Sequence, residues 1–70
     1  MAWAKERAEV ELEALMRDPD PNTFITLRLR SREIDRWRRI FPRLEFTPGE
    51  HHDATGRYLC TITKKAESAA

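Results

Sequence analysis

Apolar residues recur along this chain in two rhythms, one close to the helical period and one of two residues, and the switches between them fall at prolines and glycines. Residues 2–17 contain no Gly, Pro or Asn and are mostly strong helix formers, which predicts a first helix of about four turns. On it Ala4, Ala8, Leu12, Leu15 and Met16 form one broad stripe, while Trp3, Val10 and Ala14 gather on a second, narrower one. Asp18-Pro19-Asp20-Pro21-Asn22 stops the helix, because each proline blocks its continuation and biases the preceding residue toward extended backbone. Residues 23–30 then alternate, with Ile25, Leu27 and Leu29 on one side and Phe24, Thr26, Arg28 and Arg30 on the other, the signature of a half-buried strand. Ser31 is placed to cap a second helix, with Glu33 and Asp35 near its positive end and Ile34, Trp37, Ile40 and Phe41 as its buried stripe. Pro42 ends it. Residues 43–47 alternate with Leu44 and Phe46 inward, residues 48–56 read as a hairpin loop, and residues 57–63 alternate again. Residues 64–70 read as a polar tail, flexible over 65–70.

These elements predict an α+β fold in the order α-β-α-β-β, as one small domain over residues 1–70. The last two strands form a hairpin, and the most apolar third strand belongs in the middle. A sheet order of 2-3-1 is then antiparallel throughout. Both helices are expected on the face bearing Ile25, Leu27, Leu29, Leu44, Phe46, Tyr58, Cys60 and Ile62. The other face is left open, with Thr26, Arg28, Arg30, Arg43, Glu45, Thr47, Arg57, Leu59, Thr61 and Thr63 on it. A 70-residue chain sits near the lower size limit for a core that folds unaided, with an expected net stability of ~3–5 kcal/mol. Self-association would add to that margin.

Charge changes the picture only when it is divided along the chain. The net charge is +1, yet residues 1–22 carry three basic against six acidic side chains, and residues 23–48 carry seven arginines against Glu33, Asp35 and Glu45. An acidic segment therefore precedes a basic one, which suits either an internal electrostatic match or an anionic partner. Cys60 is the single cysteine, so no intramolecular disulfide and no cysteine-based zinc site is expected, and a reducing, cytoplasmic location fits. No apolar run reaches the length that spans a bilayer, so no membrane partner is expected.

Candidate chemistry is sparse. Glu50-His51-His52-Asp53 is the one cluster of metal-ligand residue types, but adjacent histidines point apart and no remote Cys or His completes a set, so no metal is expected. Cys60 falls on the core side of its strand, away from both histidines, and reads as a small core hydrophobe rather than a nucleophile. With Gly49 and Gly56 as its only glycines the chain has no phosphate-binding loop. No catalytic residue, no cofactor and no enzymatic activity are expected. The basic constellation is stronger: Arg32, Arg36, Arg39 and Arg43 recur at near-helical spacing as one ridge, beside Arg28 and Arg30 of the preceding strand. Residues 23–41 are similar in order to the opening of a ribbon-helix-helix DNA-binding protein. That family needs a second helix where this chain has two strand patterns, and the resemblance is set aside. The expectation is a non-enzymatic small binding or regulatory protein acting through protein–protein contacts, as a homodimer. Its candidate partner surface is Trp3, Val10, Arg28, Arg30, Arg32, Arg36, Arg39 and Arg43. The alternative is a nucleic-acid-binding protein that uses the arginine-rich strand and helix.

Overall fold

A computed structural model describes residues 6–65, in which five elements follow one another: α1 (Arg7–Arg17), β1 (Phe24–Leu29), α2 (Ser31–Ile40), β2 (Leu44–His52) and β3 (Tyr58–Lys64). The expected residues 2–5 of the first helix, including Trp3 and Ala4, and residues 66–70 of the tail lie outside the described residues. The helix α1 ends where Asp18 turns extended ahead of Pro19, and the Asp18 N–H closes the last turn on the carbonyls of Ala14 and Leu15. The three strands form one antiparallel sheet in the order β1-β3-β2, as the pattern predicts. In it Ile25 faces Ile62, Leu27 faces Cys60, and Phe46 faces Ile62 from the other side.

Period-two alternation sends one set of side chains toward both helices. Leu29, Leu44, Phe46, Cys60 and Ile62 of the sheet are buried against Leu12 and Leu15 of α1 and Ile34 and Trp37 of α2, with Ala8, Ile25, Leu27 and Phe41 packed at the margins. The Trp37 and Phe41 rings lie 6.0 Å apart and tilted, an arrangement that favours aromatic pairs.

Four local expectations are corrected. Met16 and Ile40, assigned to buried stripes, are 38% and 50% exposed, because two helices on three strands cover only the residues that point straight at the sheet. Ser31 is the first helical residue of α2 rather than its cap; Arg30 holds the cap position in extended geometry, and the Glu33 carboxylate accepts its N–H at 3.1 Å. The strand β2 runs on to His52, past Pro48 and Gly49, because Pro48 lies on the outer strand, where no ladder bond requires its N–H, and an irregularity between Pro48 and His52 absorbs the break in register. Lys64, placed in the tail, belongs to β3, and its ammonium donates to the carbonyls of Asp18 and Asp20. It lies 3.9 Å from the Asp18 carboxylate and neutralises the end of α1.

Candidate functional site

The face of the sheet turned away from the helices is uncovered among the described residues. Three rows of side chains cross it: Phe24, Thr63 and Glu45; then Thr26, Thr61 and Thr47; then Arg28 beside Leu59. Phe24 and Leu59 are 60% and 54% exposed, the most exposed large apolar side chains among the described residues. Basic residues mark both ends. Arg57, just before β3 and two residues from Leu59, lies at the end of the sheet that Arg28 occupies, and at the other end Arg43 and Lys65 are neighbours through the Lys65 N–H bond to the Arg43 carbonyl, 3.0 Å. Glu45 is the acid within the rows themselves.

A tight turn over residues 53–57 holds the first of these ends. The Asp53 carboxylate accepts from the Thr55 N–H (2.8 Å), the Thr55 hydroxyl (2.6 Å) and the Arg57 N–H (3.0 Å). The Asp53 N–H donates to the Arg57 carbonyl at 2.8 Å, and Gly56 supplies the positive φ of 80° that the turn requires. The Thr55 hydroxyl, then the Arg57 N–H, hold the Asp53 carboxyl well below its ordinary range, at about 2, and Arg28 at 4.0 Å helps. Arg30 reaches the same turn, its Nε donating to the Thr55 carbonyl at 3.4 Å. The turn is thus fastened to the end of β1.

The two edges of the sheet differ. Because Lys65 bonds Arg43, the residues of β2 that point their backbone groups outward are Leu44, Phe46 and Pro48. At each of them one outward group is occupied or missing: the Leu44 N–H donates to the Phe41 carbonyl at 3.1 Å, Arg38 donates to the Phe46 carbonyl at 2.9 Å, and Pro48 has no N–H. By the same alternation Phe24, Thr26 and Arg28 point their backbone groups out of β1. None of these has a partner among the described residues. A groove of about 720 Å³ lies beside the later part of this strand, from Thr26 to Leu29, with Arg7 and Glu11 of α1 on one side and Asp53 and Thr55 of the turn at its end.

The sequence-derived partner surface does not come together as one patch. Arg28 lies on the open face, whereas Arg32, Arg36 and Arg39 lie on the exposed side of α2, with the sheet between them. Arg30 sits at the junction, engaged with the turn. Arg43 precedes β2 on the open-face side and is not part of the α2 ridge. Arg36 is drawn to Glu6 of the acidic segment at 3.3 Å and covers the Trp37 ring at 4.8 Å, so the internal charge match is made here in part. Val10 is 50% exposed on the outer side of α1, as its second stripe predicts, while Trp3 lies outside the described residues.

The remaining candidates are structural in their surroundings. Cys60 is fully buried, and burial pushes its thiol up. His52 stands edge-on to Tyr58 at 5.6 Å, with its Nδ1 2.9 Å from the Asp53 carbonyl. No group of three metal-ligating side chains occurs among the described residues, and no helix there is long and apolar enough to cross a membrane. Two features escaped the sequence reading. Lys64 was hidden by its place in a polar run, and the difference between the two edges follows from which backbone groups point outward, for which Pro48 was the one legible sign. No family model matches the chain, and neither a curated protein nor a solved structure matches it.

Proposed function

We propose that this is a non-catalytic binding protein of regulatory type whose open sheet face docks a partner protein. The observation that carries the reading is that Phe24 and Leu59 are each more than half exposed on the sheet face turned away from the helices. Exposed apolar residues framed by hydroxyls and charges are the usual make-up of a docking patch, and β-branched threonines present little side-chain entropy to lose on contact. The test is partner capture from the native host with the wild-type chain and with Leu59→Asp, whose side chain is not part of the core. The reading expects a protein that the wild type retains and Leu59→Asp loses, while Ile40→Asp on the helical side retains it. Identical captures by all three would remove it.

A second reading is favoured by one specific observation, the cations Arg28, Arg57, Arg43 and Lys65 at the ends of a face whose rows hold only Glu45 as an acid. A single-stranded nucleic acid tracking along β3 would meet phosphate-binding groups at both ends and Phe24 for stacking. Its affinity would fall steeply with salt. Absence of binding at low ionic strength excludes it.

A further inference from the structure

We propose that the free edge of β1 is a self-association site, at which a second copy of this chain adds its own β1 antiparallel about a two-fold axis to make one continuous six-stranded sheet. This deepens the reading above, since it names a second copy as one protein partner, but it concerns the edge of the sheet and leaves the open face free. The two edges of the sheet are treated unequally. On β2 the outward Leu44 N–H and Phe46 carbonyl are taken by Phe41 and Arg38, Pro48 lacks an N–H, and the ladder then breaks its register. These are the devices that keep an edge strand from pairing with another chain. The strand β1 has none of them: it holds no proline and no lysine, its register with β3 is unbroken over six residues, and the outward groups of Phe24, Thr26 and Arg28 have no partner among the described residues, with a groove beside Thr26 and Arg28.

The strand is also complementary to itself. Only residues whose groups point outward can form the hydrogen-bonded pairs of an antiparallel ladder. Centring the axis on Thr26 pairs Thr26 with Thr26 of the second copy, and Phe24 with Arg28 of the second copy at each end. The guanidinium is thereby set beside an exposed ring, and like charges are kept apart. On the other face the same register sets Ile25 against Leu27 of the second copy. Both are only half-buried in the single chain, so pairing completes their burial. Sliding the axis to Arg28 would oppose two arginines and lose the Phe24 contacts. Beside the groove, Arg7 and Glu11 lie one turn apart on the wall of α1, so the border of this edge carries charges of both signs.

The test combines light scattering over a concentration series with residue-resolved amide exchange on the full chain. The expected result is a species of twice the 8.3 kDa chain mass in which the Phe24, Thr26 and Arg28 amides exchange slowly, with protection lost on dilution. Thr26→Pro removes one outward N–H from each copy without touching the β1–β3 ladder, and it is expected to weaken the dimer at least ~10-fold. A chain that stays monomeric throughout overturns the proposal. So does a dimer in which those three amides exchange freely, or one that Thr26→Pro leaves unchanged. If Thr26→Pro fails to fold, the exchange pattern of the wild type decides. Leu59→Asp keeps the dimer mass even where it loses the open-face partner, so failure at the edge and failure at the face are told apart.

Discussion

At the scale of single residues, two polar side chains organise the ends of this molecule. Asp53 gathers three donors onto one carboxylate and is held at about 2, below the ordinary 3.8. A depressed carboxylate contributes stability that is complete above the ordinary value and is lost as pH falls from about 3.8 through about 2. Acid titration of the melting temperature should therefore show a fall in that window, and Asp53→Asn, which ends the titration at this site, should make the fall shallower and lower the plateau above it. Lys64 is the second organiser, its ammonium seated on the Asp18 and Asp20 carbonyls with only 17% of the side chain exposed. Lys64→Met keeps the stem and removes the charge-assisted bonds, and urea denaturation should register a loss of about 1–3 kcal/mol. Asp53 was visible in the sequence as Asp-Ala-Thr-Gly, a turn-forming string, but it was read within a histidine cluster. Lys64 was not legible at all, because its partners are backbone carbonyls far along the chain that only the fold brings near.

At the scale of elements, the alternation of β1 and β3 and the turn residues between elements were enough to place five elements and the order of the sheet. What failed was the width of the buried stripes. A helix read alone shows every apolar position on its broad face, whereas packing on a narrow sheet buries only Leu12 and Leu15 of α1 and Ile34 and Trp37 of α2. Trp37 is the largest fully buried side chain among the described residues, and Trp37→Ala should cost about 3–5 kcal/mol. That equals the whole margin expected of so small a domain, ~3–5 kcal/mol, so circular dichroism should find this variant largely unfolded at room temperature. Ile40→Ser, from the same sequence stripe but half exposed, should stay within about 0.5 kcal/mol of wild type. The pair of variants separates the stripe that periodicity suggests from the one that the sheet covers.

At the scale of the whole molecule, the sheet divides the surface into two sides with different roles. The helical side spends part of its charge internally, in the Arg36–Glu6 pair, and one of its arginines, Arg38, closes the edge of β2. The open side presents threonines, Phe24 and Leu59 between cationic ends, and its β1 edge keeps backbone groups that have no partner among the described residues, beside a groove. The candidate surface read from the sequence mixed these two sides, because arginines of β1 and α2 are neighbours along the chain and are separated only by the direction in which each element turns them. The most direct test of the division is site-specific photocrosslinking in the native host, with the photoreactive side chain placed at position 59 on the open face and, separately, at position 40 on α2. A discrete crosslinked partner is expected from position 59 and none from position 40. Crosslinks confined to position 40 would contradict the division.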